Sequence, residues 1–324
     1  MATSENWAFP ASLQPKPEEL GFDLAAALDA VVLVKAEVPE EAFTAGILGT
    51  ERLGNGVVIR DDGLVLTIGY LITEAQTIWL TTNRGVVVAG HALAYDPVTG
   101  FGLVLPLGHL GVKPIARGSA ADCAPGDEVT LIGQGGRAHA LKASVFAKRE
   151  FAGYWEYVLD EAIFTAPAHP QWGGAALVGR DGKLLGIGSL LLQEEQDGRQ
   201  VQGNMVVPID LLQPILDDMV LRGSPNRPPR AWLGMYVQEA GGKLMVGGLA
   251  TGGPADQAGI KLGDAVLAVA GARANGLADL FRKIWQLGPA GTEVPLTLSR
   301  RETRIEVRAK SADRADYLFK PRLH

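Results

Sequence analysis

The sequence predicts a mostly β protein: two small antiparallel barrels followed by a compact third module. Three observations carry this reading. Short Val/Ile/Leu runs recur at regular spacing, and 41 glycines and 19 prolines punctuate them. A Pro-rich, basic stretch then separates a last segment whose pattern differs from everything before it. At 324 residues the chain is long enough for more than one core.

Residues 1–28 are rich in Pro and Glu and carry Trp7, Phe9 and Phe22 as isolated aromatics, so they read as an arm. Strand signals start at 30–35 and continue through 56–60 and 64–67, with Asp61-Asp62-Gly63 as the turn between them. Runs at 77–81, 85–89 and 102–105 complete a first group. A second group comprises 128–132, 140–145, 157–160, 177–178, 184–188 and 205–208, with Asp181-Gly182 as a hairpin turn. Two groups of about six strands suit a pair of barrels. Residues 209–222 place apolar side chains at helical spacing and close at Gly223.

The stretch 224–230 reads as a linker. Beyond it, 232–238 and 243–246 are strand-like, and 253–259 is a short helix ended by glycine. A strand at 264–269, an amphipathic helix at 276–287 and strands at 293–298 and 304–308 finish a plausible single domain. The expected division is an arm at 1–28, a double barrel at 29–222, a linker at 223–231, the last domain at 232–312 and a tail at 313–324.

Charge narrows the partners. The formal charge of −6 divides into a net −13 over residues 1–221 and +7 over 222–324. An acidic body argues against nucleic acid, while a basic C-terminal module suits a carboxylate-bearing peptide. The lone Cys123 excludes an internal disulfide and a cysteine-based zinc site. His91, His109, His139, His169 and His324 show no pair at i, i+4 spacing, so neither a metal nor any other cofactor is expected. No apolar run reaches the ~20 residues of a membrane span. Without a basic, then apolar, leader the chain as given is expected in the cytoplasm, or in the periplasm if a leader has been removed.

Local motifs add a resemblance. Gly54-Asn-Gly-Val-Val-Ile-Arg-Asp-Asp-Gly63, Val206-Val-Pro-Ile-Asp210, Trp232-Leu-Gly-Met235 and Gly252-Gly-Pro-Ala-Asp-Gln-Ala-Gly-Ile-Lys-Leu-Gly-Asp-Ala-Val-Leu267 are similar to segments of the HtrA (DegP/DegQ-like) family. The last of these follows that family's "GSPAAKAGLKxGDVIL" pattern nearly end to end. The resemblance spans roughly residues 25–310. It implies a chymotrypsin-type double β-barrel followed by a PDZ domain.

The resemblance also locates three catalytic positions. Thr67-Ile-Gly-Tyr-Leu-Ile72 stands at the family's "TNNHVI", which puts Tyr70 at the base histidine. Asp96-Pro-Val-Thr-Gly-Phe-Gly-Leu103 stands at "DPxTDLAL", which puts Gly100 at the orienting aspartate. His169-Pro-Gln-Trp-Gly-Gly-Ala-Ala-Leu177 matches the nucleophile loop and puts Gly173 at the serine. Glycine has no nucleophilic oxygen, and a tyrosine with a pKa near ~10 is a poor base at neutral pH. The expectation is therefore a chain that is not an enzyme: a pseudoprotease serving as scaffold, adaptor or regulator. Ser119 and Ser189 have no histidine partner in sequence, and His169 reads as a loop residue that caps backbone.

The resemblance further implies a peptide site. A PDZ domain adds an extended peptide to its sheet edge and holds the terminal carboxylate with backbone N–H groups. Here the loop is Leu233, Gly234 and Met235, the edge strand carries Tyr236 and Val237, and Leu280 and Ile284 face them from the helix. The expected partner is a peptide or a protein C-terminus. A homotrimer through Trp7 and Phe9, and an active HtrA homologue as partner, are further expectations from the resemblance. The alternatives are a serine endopeptidase with a relocated nucleophile and a regulatory subunit of an active homologous protease.

Overall fold

The computed structural model describes residues 7–196 and 199–319. The first barrel is built from β1 (Val31–Glu37), β2 (Glu51–Val58), β3 (Val65–Ile68), β4 (Thr77–Thr81), β5 (Val87–Tyr95) and β6 (Phe101–Pro106). They close in the order β1-β2-β3-β6-β5-β4. β1 pairs on both sides, with Val31 opposite Val57 and Leu33 opposite Thr81. Period-two alternation decides which side chains enter: Val32, Val34 and Ala36 are buried while Lys35 lies nearer solvent. Leu64, Leu66, Phe101 and Leu103 fill the interior.

The second barrel closes in the order β10-β11-β12-β9-β8-β7. Its strands are β7 (Glu128–Ile132), β8 (Ala140–Gly153), β9 (Tyr157–Ala166), β10 (Ala176–Val178), β11 (Leu184–Gln196) and β12 (Arg199–Pro208). Leu131, Ile132 and Phe164 are among its fully buried side chains. Two closed sheets leave no free edge to pair with another chain.

Most strands lie where the apolar runs place them, and β4 and β7 match to the residue. β8 differs: it runs on to Gly153, past the apolar run that ends at Val145. Its outer half is held by hairpin pairing, which leaves no apolar signature in the sequence. The helix expected over 209–222 is also broken. A 3₁₀ turn at Ile209–Leu211 precedes an α-helix at Leu216–Arg222. Pro214 lies between them, where a missing N–H and a ring clash interrupt a helix. Gly223 ends that helix in the left-handed conformation, its N–H donating to the Met219 carbonyl.

The remaining strands form one sheet in the order β13-β14-β15-β17-β18, with the short β16 paired to β15. They are β13 (Met235–Ala240), β14 (Lys243–Leu249), β15 (Ala265–Val269), β16 (Ala272–Arg273), β17 (Glu293–Arg300) and β18 (Thr303–Lys310). The helix Leu277–Gln286 buries Ala278, Leu280, Phe281 and Ile284, the i, i+3, i+4 stripe of an amphipathic helix. The expected strand at 232–238 starts only at Met235, because Gly234 turns the backbone at φ +68°.

The chain divides into two compact units. The first holds both barrels. The second holds Arg227–Leu318 together with Glu150–Asp160, the tip of the β8–β9 hairpin.

Candidate functional site: the barrel cleft and the groove beside β13

Three chain segments meet in the first unit at Gly173. Tyr70 sits in a 3₁₀ turn, Gly69–Leu71, directly after β3. Its hydroxyl donates to the Ser189 carbonyl at 2.9 Å, and burial pushes its pKa up, partly countered by a hydrogen bond with the Trp172 side chain. A Cβ added at Gly173 would lie 2.7 Å from that hydroxyl. Gly100 stands one residue away from Tyr70 in space, its carbonyl accepting the Gly69 N–H at 2.7 Å. The turn is braced from below by buried Arg52, whose guanidinium donates to the carbonyls of Tyr70 and Thr73 at 2.8 Å each.

Asn55 organises the opposite wall. Its backbone N–H donates to the Gly173 carbonyl at 2.7 Å. Its side-chain amide donates to the carbonyls of Gln171 at 2.8 Å and Gly173 at 3.1 Å, while its Oδ1 accepts the Gln134 N–H at 2.8 Å. Gly54 makes room for this approach, since a Cβ there would lie 2.8 Å from the Gly173 carbonyl oxygen. Gly174 has no substitute: φ is +76° and a Cβ would fall 1.8 Å from the Asn55 carbonyl oxygen.

His169 is fully buried. Its Nδ1 accepts the Gln171 N–H at 3.0 Å, which requires Nε2 to be the protonated nitrogen donating to the His139 carbonyl at 2.8 Å. Burial lowers its pKa to about 4, against a smaller opposing effect of the His139 hydrogen bond, so the ring is neutral. Trp7 stacks on His139, and Phe9 meets His169 edge-on, so both arm aromatics pack against their own chain. Ser119 is an N-cap whose hydroxyl donates to Asp210 at 2.7 Å. Ser189 is nearly buried, in the irregular step of β11 between Gly188 and Leu190.

In the second unit, Leu233, Gly234 and Met235 turn their N–H groups towards one carboxylate, that of Glu156. Leu233 donates at 3.0 and 3.2 Å and Met235 at 3.0 Å, with Gly234 as a third donor. The enclosed carboxyl has its pKa raised by burial, against the pull of these N–H groups, to about 7. One step along the same strand edge, the Val237 N–H donates to the Tyr154 carbonyl at 3.2 Å. Tyr236 meets Tyr154 edge-on at 6.2 Å. Leu280 and Ile284 are fully buried in the apolar cluster that contains Leu233, Met235, Val237 and the hairpin's own Val158. The seven residues expected at a peptide groove are thus together, with a segment of the same chain against them. Among the described residues no group of three or more His, Cys, Asp or Glu could hold a metal ion. Nor, among them, is any helix long and apolar enough to cross a membrane.

Known proteins share this layout. The family described as Trypsin-like peptidase domain matches residues 54–187, and that described as PDZ domain matches 231–310. A probable periplasmic serine endoprotease, DegP-like, from Halomonas elongata is 24% identical over 76% of this chain and 54% of its own length. Serine protease PepD from Mycobacterium tuberculosis is 26% identical over 67% of this chain and 51% of its own. The structure of the HtrA-type protease AlgW with decapeptide superposes with a TM-score of 0.53 at 18% identity, covering 93% of this chain and all of that one. The chain thus joins a trypsin-like peptidase domain to a PDZ domain, the layout of these HtrA-type proteases.

The chain spans about half the length of the curated relatives it matches. The fold class read from the sequence, a mostly β chymotrypsin-type double barrel followed by a PDZ domain, is confirmed. The expectation that the chain is not an enzyme is corrected: its relatives are named serine endoproteases and a serine protease. The identities of Tyr70, Gly100 and Gly173 bear on only one arrangement of nucleophile, base and orienting group. Hydrolysis requires a positioned nucleophile with a base, not those positions as such.

Sequence reading passed over Asn55 and Glu156. Asn55 had a faint signal, an amide flanked by two glycines inside a strand, where close backbone approach is the usual reason for glycine. Glu156 had none, since a glutamate in a hairpin turn is ordinary and its partners lie 77 and 79 residues away.

Two outcomes follow from the cleft. Gly173→Ser should cost about 1–3 kcal/mol by overpacking against the Tyr70 hydroxyl. Combined with Tyr70→Phe, it should cost less than the sum of the single changes by about 1 kcal/mol in urea unfolding; strict additivity would contradict the contact. His169, neutral and depressed from 6.5 to about 4, contributes stability that is present above pH 6.5 and lost as pH falls through 4. Comparing wild type with His169→Gln across that range should reveal a difference approaching about 3 kcal/mol in the wild type's acid loss. Parallel curves would reject it.

Proposed function

We propose that this protein takes up peptides and protein C-termini at its PDZ groove and handles them with its trypsin-like domain. One observation carries the reading: the N–H groups of Leu233, Gly234 and Met235 converge on the Glu156 carboxylate, while the next edge N–H, at Val237, donates to the carbonyl of Tyr154, two residues before that glutamate. That is the hydrogen-bond set a C-terminal peptide needs when it adds to a sheet edge. The net positive charge of the C-terminal module, +7 over residues 222–324, draws carboxylates towards it. The periplasmic names of the DegP-like relatives support the periplasm as the place of action.

The names of the relatives favour a second reading, in which the trypsin-like domain cuts peptides. The attacking oxygen would then come from outside Tyr70, Gly100 and Gly173. Ser189 is the candidate, because its carbonyl accepts the Tyr70 hydroxyl and so lies at the same cleft.

In fluorescence anisotropy, a labelled peptide with a free C-terminus should bind at least about tenfold more tightly than its C-terminal amide, since the amide withdraws the charge the loop receives. Equal affinities would remove the reading. For the second reading, a fluorophosphonate probe should label one serine, with labelling lost in Ser189→Ala. An unlabelled protein would dismiss it.

A further inference from the structure

The groove residues of the PDZ domain are occupied by the chain's own hairpin, and the manner of occupation is specific. The tip of β8–β9 supplies a carboxylate at Glu156 to the loop N–H groups and a carbonyl at Tyr154 to Val237. Met235 and Val237 point their N–H groups to the same edge because strand residues alternate. The spacing of carboxylate and carbonyl in the hairpin therefore reproduces the register of an added strand. Val158 is buried in the apolar cluster with Leu280 and Ile284. Arg282 of the helix holds both arms of the hairpin, donating to Glu150 and Asp160 at 2.5 Å each.

We propose that residues 154–156 are an internal ligand of the PDZ groove, so that an external C-terminus binds only by displacing the hairpin tip. The proposal rests on the C-terminal reading above and adds its regulation. Glu156 adopts φ +63°, a left-handed conformation that a residue with a Cβ occupies at a cost. A main-chain terminal carboxyl is the stronger acid before burial, about 3.3–3.7 against about 4.3 for a free glutamate, and the burial that raises the Glu156 carboxyl acts on either group. In the same cradle the external group is thus the more easily kept ionised at neutral pH, and it makes the better acceptor. The hairpin's advantage is tethering, which sets an effective concentration that an incoming peptide must exceed. External affinity is reduced by the fraction of molecules whose groove is filled from within.

The test uses the full chain and a fluorescein-labelled decapeptide ending in Tyr-Trp-Val with a free carboxylate. The first two of these residues copy the tip, and the last supplies the apolar group that Val158 provides internally. Glu156→Gly removes the carboxylate and suits the positive φ, so the hairpin retains its turn. Arg282→Ala loosens the two arms at an exposed position. The peptide should bind Glu156→Gly at least about tenfold more tightly than wild type, with Arg282→Ala between them. Saturating peptide should raise hydrogen exchange at residues 150–160 of the wild type. Equal affinity for all three proteins, with the hairpin still protected, overturns the internal ligand and leaves the C-terminal reading standing. Binding to none of them overturns both.

Discussion

The two-barrel unit depends on one buried amide. Asn55 lies on β2 of the first barrel and engages every polar atom: its N–H and Nδ2 on the 171–173 backbone and its Oδ1 on the Gln134 N–H, all in the second barrel's half, and its carbonyl on the Thr67 hydroxyl of β3 at 2.6 Å. A buried polar group left unpaired costs more than a made hydrogen bond gains, so this set holds together as a whole. The glycines around it follow from the same constraint. Gly54 and Gly174 are the places where backbone passes too close for a Cβ.

The cleft and the groove differ in what their residues are free to do. At Gly173 the neighbouring groups are already satisfied: Tyr70 reaches Ser189, His169 has both ring nitrogens engaged, and Arg52 fixes the turn from beneath. At Leu233–Met235 the backbone donors are satisfied by the Glu156 side chain, on a residue with a left-handed backbone and with its carboxyl well above the usual carboxylate range. The first arrangement is rigid packing. The second is a backbone loop closed over a carboxylate of the same chain.

Much of this was legible in the sequence. Val/Ile/Leu runs gave the barrel strands, Asp-Gly pairs gave turns, and the i, i+3, i+4 stripe of residues 277–286 gave the PDZ helix, because burial against a sheet or core imposes its period locally. The turn at Leu233-Gly-Met235 was legible too, since a left-handed position favours glycine and Gly234 provides it. Illegible were the outer half of β8, the break at Pro214 and the role of Glu156. Whether the chain is an enzyme was also not decided by three positions, as its relatives make plain.

By itself, then, the sequence determined the two barrels, the PDZ domain and the identities at positions 70, 100 and 173. Local pattern suffices for these because each is written within a strand, a helix or a short motif. Only the tertiary structure decided that Tyr70 fills the space beside Gly173, and that Asn55 clamps the loop. It also decided that Glu156 lies in the carboxylate loop. Each of these is a contact between residues roughly 80 to 120 positions apart, fixed by the packing of elements from different sheets and not by any signal either partner carries alone.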